Sequence, residues 1–128
     1  MKITQKRSTS VSDGLLVKFG ADNILEPYDG VGSVAGVAIN CRVVVIQNDP
    51  DQPGVNVDVC ELVVDGACQV LVDSACSSQG AHFGPSTTAG QATLGATPMI
   101  GFILPQPWSD TTERAAGLMP ALVCMVRS

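Results

Sequence analysis

The stretch VNVDVCELVVDGACQVLV, residues 55–72, decides the fold that this sequence predicts. Its first six residues place valine at every second position, an alternation typical of a half-buried β-strand. Asp65-Gly66 stands between two apolar, β-branched runs, and Asp-Gly is favoured where a tight hairpin needs positive φ angles. The stretch therefore predicts a long antiparallel hairpin with one apolar face.

Segments on both sides of this hairpin also have the composition of strands. Glycines at 32 and 36 interrupt one of them and predict a kinked or bulged strand. With 13 Gly and 8 Pro distributed along 128 residues, the pattern predicts an all-β fold, a small antiparallel barrel or sandwich. The further predicted strands are 15–19, 31–45, 97–104 and 121–127, and the predicted loops are 47–54 and 73–91.

The two ends of the chain differ from this β pattern. Residues 1–14 are polar and without period, which predicts an extended N-terminal arm, disordered when free, before a single domain at 15–128. Such an arm can instead become ordered against the sheet edge of a partner. Near the other end, Asp110 and Glu113 have the spacing of a capping box. They predict one short helix that ends at about Leu118, before Pro120.

The five cysteines are predicted to be reduced thiols buried as small apolar side chains. Their number is odd, and the N-terminal residues show no apolar segment of the kind found in a signal peptide. Zinc sites favour ligands two to four residues apart, a spacing that the cysteines lack. No metal and no cofactor is therefore expected. The cysteines are Cys41, Cys60, Cys68, Cys76 and Cys124.

Charge is distributed unevenly along the chain, whose net charge is −5. No Lys or Arg lies between Arg42 and Arg114, although eight Asp and Glu residues do. Because such a body repels phosphate, nucleic acid is not an expected partner. No apolar run reaches the roughly 18 residues that cross a bilayer, so no membrane partner is expected either.

Residues that could carry catalysis are few. His82, Ser86 and Asp73 could be combined into a nucleophilic triad, but most chains of this length offer such a combination. Asp49, Asp51 and Asp58 lack the glycine and distal glutamate of a calcium loop. With no phosphate-binding loop and no nucleophile motif, the sequence favours a protein that is not an enzyme.

Five short motifs are carried in a characteristic order: GVGSVAGVAI, ELVVDGACQVLV, TTAGQAT, TPMIGFIL and VCMVRS. In this order the chain resembles the small β-barrel decoration, or cement, proteins of tailed-bacteriophage capsids, over about residues 30–128. The predicted helix near 110–118 and the number of cysteines depart from that family.

The resemblance implies a structural protein of the virion, made in the host cytoplasm and bound to the outside of an assembled head. Its implied partner is the major capsid protein, which it would bind as a homotrimer, stabilising the shell against internal pressure. Linked copies gain affinity by avidity, so each contact can be modest. The candidate contact residues are Lys2, Lys6 and Arg7 in the arm, with Tyr28 and Trp108 as aromatic anchors.

Two other functions are compatible with a small β-barrel. One is a module that binds a carbohydrate or a receptor, for which Tyr28 and Trp108 are the available aromatics. The other is a small trimeric hydrolase of nucleoside triphosphates. That class needs basic residues for phosphate, and residues 43–113 contain none.

Overall fold

The structure is a computed structural model, and it describes residues 2–76, 81–104 and 115–125. These residues form ten strands and one turn of 3-10 helix at Ala21–Asn23, so the all-β prediction is confirmed. The strands are β1 (Lys2–Lys6), β2 (Leu16–Phe19), β3 (Leu25–Pro27), β4 (Gly36–Ile46), β5 (Val55–Val63), β6 (Asp65–Val72), β7 (His82–Pro85), β8 (Ala92–Leu94), β9 (Gly101–Ile103) and β10 (Gly117–Cys124).

The strands are arranged in two sheets. The first is open and five-stranded, in the order β1-β5-β4-β2-β3, and the second closes into a barrel in the order β10-β6-β8-β7-β9. Pairing is antiparallel except between β6 and β8, which meet in parallel at Val72 and Ala92. Closure removes the free edges of the second sheet. β1 and β3 are the outer strands of the first, and Arg7, just after β1, forms an isolated parallel bridge with Leu25 of β3.

The predicted hairpin across Asp65-Gly66 is wrong. β5 and β6 follow each other directly, yet β5 pairs with β1 and β4 in the open sheet, and β6 pairs with β10 and β8 in the barrel. A type I′ turn needs positive φ at both central residues, and here Gly66 has a φ of 120° while Asp65 is not among the residues of positive φ. The chain therefore crosses from one sheet to the other at Val64.

The hairpin of this fold is instead formed by β4 and β5, with the predicted loop 47–54 at its tip. The register shifts between Ile39 and Arg42, which confirms the bulge predicted for this region. Asn40, with a φ of 52°, occupies the bulge. A bulge bends its strand and increases the local twist.

The core has two parts because the inner half of the open sheet is buried on both faces. Side chains on one face, such as Leu16, Val37 and Val63, join the cluster that fills the barrel. Their neighbours on the other face form a second cluster, covered by Val11 and Leu15. The members of this second cluster are Val11, Leu15, Val17, Leu25, Ala38, Cys60 and Leu62.

The N-terminal segment is extended, as predicted, but it lies on the sheet of its own chain. β1 pairs with β5 from Lys2 opposite Val63 to Lys6 opposite Val59. An apolar Ile3 among polar neighbours gives the segment enough strand character to fill this edge. Residues 2–6 are therefore part of the folded body, where the sequence predicted a free arm.

The predicted helix is wrong at its C-terminal end. Gly117 and Leu118 belong to β10, which pairs along its whole length with β6, and residues 110–114 lie outside the described part of the chain. Burial alternates along β10, with Met119, Ala121 and Val123 inside. That period of two matches the barrel wall, so pairing with β6 overrides the helix signal.

The other predicted elements change mainly in length. β2 confirms the predicted strand at 15–19, but the predicted loop at 73–91 contains the strand β7. β9 is shorter than the predicted 97–104, and β10 begins earlier than predicted. Segment ends such as these depend on pairing partners, which no local pattern encodes.

Gly101 allows β9 and β10 to approach each other closely. A Cβ at this position would collide with the carbonyl oxygen of Leu122 and press on the ring of Phe83. We expect Gly101→Ala to lower the free energy of unfolding by about 1–3 kcal/mol, because backbone cannot yield as a side chain can.

Gly20→Ala is the matched control for urea unfolding of this variant. Its added Cβ would meet only the carboxylate end of Glu26, a flexible side chain. The change should stay within about 0.5 kcal/mol. Equal losses in the two variants would contradict the role given to the close approach at Gly101.

Candidate interaction surfaces

The outer half of the β4–β5 hairpin, residues 42–58, forms a two-stranded ribbon. β1 pairs with β5 only as far as Val59, and β2 pairs with β4 only at Gly36 and Val37. Beyond Asp58, whose carbonyl accepts from the Arg7 N–H, both long edges of this ribbon are therefore open within the described strands. The ribbon is continuous with the five-stranded sheet at its base, and only its outer part lacks neighbouring strands.

The ribbon exposes large apolar side chains. Val43 and Val45, which share one face, are 55% and 67% exposed, and Ile46 and Val55 are also exposed. On the opposite face, Ile46 and Val57 border a shallow cavity that also touches the 3-10 turn. A cluster of exposed apolar side chains is a candidate interaction surface.

The tip of the ribbon is acidic and ordered. The Gln47 side-chain amide donates to the carbonyl of Gln52 at 2.7 Å, and the Asp51 N–H donates to the Asp49 carboxylate at 2.9 Å. These local bonds give the loop a defined shape. A partner that contacts the tip meets two carboxylates, those of Asp49 and Asp51.

Arg7 fastens the base of the ribbon. Its Nε donates to the carbonyl of Val59 at 2.8 Å, and its Nη2 donates to the carbonyl of Arg42 at 3.3 Å. Nη1 donates to the carbonyl of Val11, and Nη2 forms an ion pair with Asp58 at 3.6 Å. Because these internal contacts occupy a side chain that is only 10% exposed, Arg7 acts within the fold.

Arg7→Ala should lower the free energy of unfolding by about 2–3 kcal/mol, because partly buried carbonyls lose a charged donor. Lys6→Ala removes an equal charge from an exposed neighbour on the same segment and serves as the matched control. We expect that control to change stability by less than about 0.5 kcal/mol. Urea unfolding of the two variants decides, and similar losses would contradict this role for Arg7.

A second apolar surface is a cavity of about 920 Å³ near the point where the chain changes sheets. It opens beside Ile3 and Phe19, which are 41% and 46% exposed. A cavity of this size can accept several apolar side chains of a partner. Its lining comprises Ile3, Gln5, Phe19, Ser33, Val34, Ala35, Leu62, Val64, Asp65, Cys124 and Met125.

Four of the five predicted contact residues lie in the described part of the chain, and their exposure differs. Lys2 and Lys6 are exposed on the edge strand β1. Tyr28 is buried, and its hydroxyl donates to the carbonyl of Gly32 at 2.8 Å, so it shapes the 28–32 turn. Trp108 lies outside the described residues. The ribbon was not predicted as a surface, although the run VVVI at 43–46 was the available signal.

The residues considered for a triad separate into two places. Ser86, which is buried, donates to the Asp73 carboxylate at 2.5 Å and accepts from the Thr88 N–H. His82 is exposed at the start of β7 and lies four positions before Ser86, a distance of about 13 Å along extended chain. The Ser86–Asp73 pair therefore ties the end of β6 to the end of β7.

The hydrogen bond from Ser86 holds the pKa of Asp73 below its ordinary value of 3.8. A lowered pKa in the folded state stabilises the fold above that ordinary value, and the contribution is lost as pH falls through the lowered pKa. Asp73→Asn should therefore be less stable than the wild type at pH 7. The difference should shrink between about pH 4 and pH 2.

Urea unfolding across this pH range measures the effect. In a Ser86→Ala background, Asp73→Asn should cost less than in the wild type, because the two groups form one pair. Additive losses, or a difference independent of pH, would contradict the coupling.

The five cysteines form no disulfide, as predicted, but only Cys60 and Cys76 are buried, whereas Cys41, Cys68 and Cys124 are half-buried. Burial raises the pKa of Cys41 to about 12, with a further contribution from the carboxylate of Asp13. Burial likewise raises the pKa of Cys60 and of Cys68. Thiols with raised pKa are poor nucleophiles near neutral pH, which agrees with a packing role for these three side chains.

Residues 2–76, 81–104 and 115–125 contain no group of three or more His, Cys, Asp or Glu side chains placed to hold a metal ion. Over the same ranges, no helix has the length and apolar character required to cross a bilayer.

Comparisons of the chain with protein-family models, with curated proteins and with solved structures found no match. The function of this protein is therefore inferred from its surfaces and from the order of motifs in its sequence.

Proposed function

We propose that this chain is a structural decoration protein, which binds the outer surface of an assembled phage head and stabilises it. Its partner in this proposal is the major capsid protein, and its place is the exterior of the virion. The proposal joins the motif order of the sequence to one structural observation, the apolar ribbon. A protein that stabilises a large shell by binding to it needs an exposed contact surface more than it needs a reactive site.

The ribbon suits docking because its apolar face projects from a rigid base. Val43 and Val45 are exposed on one face of the ribbon, beside their cross-strand neighbours Asp58 and Asn56, while the bonds of Arg7 hold the base of the ribbon. A preorganised apolar surface loses little conformational entropy on binding, so more of the burial energy appears as affinity.

Charge distribution also supports an outward-facing structural role. The described bases Lys2 and Lys6 lie on one edge strand, and Lys18 pairs with Asp29 at 2.8 Å. The ribbon tip carries Asp49 and Asp51. Such an acidic body does not compete for packaged DNA. A homotrimer, also part of this proposal, would multiply modest contacts by avidity.

Rebinding to shells tests the proposal. Purified protein should rebind capsids of its own phage that have been stripped of it, and should raise the temperature at which they open. The double variant Val43→Thr, Val45→Thr should rebind at least about tenfold more weakly, because each lost apolar contact costs about 1 kcal/mol or more.

Val31→Thr is the matched control, since Val31 is 68% exposed but lies outside the ribbon. It should rebind as the wild type does. Absence of rebinding by the wild type would overturn the decoration function. Equal weakening by Val31→Thr would show that the ribbon has no special part in it.

A further inference from the structure

We propose that two copies of this chain pair through the outer edges of their β4 strands. The pairing is antiparallel and two-fold symmetric, and it places Val44 opposite the partner's Val44. It turns two ribbons into one four-stranded sheet. This inference concerns the isolated protein and is independent of the proposed function.

The direction of the backbone groups in β4 is the first argument. The Arg7 N–H donates to the carbonyl of Asp58 at 3.0 Å, so the polar backbone groups of Asp58 face β1. Val43 is paired with Asp58, and residues opposite each other in an antiparallel pair share the same hydrogen-bonding state. The N–H and C=O of Val43 therefore point away from β5, to the open edge, and so do those of Val45.

These exposed groups are complementary to a second copy of themselves. When Val44 faces the partner's Val44, Val43 lies opposite the partner's Val45, and Val45 lies opposite the partner's Val43. Each of these two pairs exchanges two N–H···O bonds, so every outward backbone group of both residues is satisfied. The resulting edge contact contains four hydrogen bonds.

A hydrogen bond at the base of the ribbon also favours the register centred on Val44. A shift by two residues toward that base would oppose Val45 to the partner's Cys41. The Cys41 N–H is already used, because it donates to the carboxylate of Asp13 at 2.8 Å. Pairing centred on Val44 avoids this conflict.

Side chains are compatible with the same register, in which the partner's acidic tip approaches both Arg42 and the Asp13 carboxylate that accepts from the Cys41 N–H. Arg42 falls opposite the partner's Ile46, beside the acidic tip that carries Asp49 and Asp51, and the two arginines lie at opposite ends of the contact. One face of the sheet then presents four valines together, two from each copy.

The edge itself lacks the usual protection against pairing. Exposed edges are commonly interrupted by lysine, proline or a bulge, but residues 42–46 read RVVVI, and the bulge lies just before them. An open, β-branched edge of this kind is suited to strand addition. In the proposed dimer, the β4 edge of one copy covers the β4 edge of the other, so no further strand can be added there.

Cysteine trapping tests the register. Val44→Cys places two thiols at a non-hydrogen-bonded pair, where the Cα atoms are about 4.5 Å apart, within the range of a disulfide. Under mild oxidation, this variant should form a covalent dimer at least about tenfold faster than the wild type or Val55→Cys. Peptide mass spectrometry should locate the link between the two introduced cysteines.

Val55→Cys is the matched control because Val55, 64% exposed, is more accessible than the half-buried Val44. Random collision would therefore favour the control. Faster linkage of Val55→Cys, or a link from Val44→Cys to a native cysteine instead, would overturn the proposal.

A second variant tests the hydrogen bonds. Val45→Pro removes an outward N–H that the β4–β5 ladder does not use, and proline is tolerated on an edge of this kind. In sedimentation equilibrium, the mass of wild-type protein should rise with concentration to twice that of one chain, a stoichiometry that distinguishes this pairing from the homotrimer of the proposed function. Val45→Pro should lose that step and keep its circular dichroism spectrum.

Wild-type protein that shows no such gain up to millimolar concentration would overturn the pairing, as would an unchanged gain in a folded Val45→Pro. If Val45→Pro does not fold, the cross-linking result decides alone. Failure to bind capsids would leave these outcomes unaffected, so the two proposals fail separately.

Discussion

The change of sheet at Val64 is the constraint on which the structure depends. The residues before it complete the centre of the open sheet, and those after it form a wall of the barrel. Because Val63 joins the barrel cluster and Leu62 the second cluster, a single extended segment contributes to both parts of the core. Neither sheet can be moved relative to the other without removing one of these side chains from its cluster.

The exposed ribbon is a consequence of the same arrangement. β4 and β5 are longer than the strands that flank them, so their inner halves are covered on both faces and their outer halves lack neighbouring strands. Arg7 marks the boundary, since its guanidinium bonds the carbonyls of Val59 and Arg42, where the covered part ends. Each of these two strands is therefore largely buried in its inner half and largely exposed in its outer half.

This division suggests why the molecule is suited to a structural task. The chain uses its largest buried side chains, such as Phe83, Leu16 and Met119, to make the body rigid. Its exposed valines are concentrated on the ribbon and are held in a fixed direction. A surface that binds by shape and apolar contact needs such a base, because flexibility at the interface would cost affinity. The proposed decoration function and the proposed pairing of ribbons draw on different features of the ribbon, the first on its exposed valines and the second on its backbone edge.

Much of the local structure followed from sequence alone. Alternation and β-branched composition identified the strands near 15–19, 31–45 and 55–72, because these preferences act within a few residues. The bulge lies at Asn40, several residues beyond the glycines at 32 and 36 from which a bulged strand was predicted. Pairing was decided only in the folded molecule. The Asp65-Gly66 signal describes what two residues can do, whereas the crossing at Val64 depends on partners far away in the chain, β1 on one side and β10 on the other. For the same reason, the run at 43–46 identified a strand but could not reveal its exposure, since exposure depends on which neighbouring strands end early.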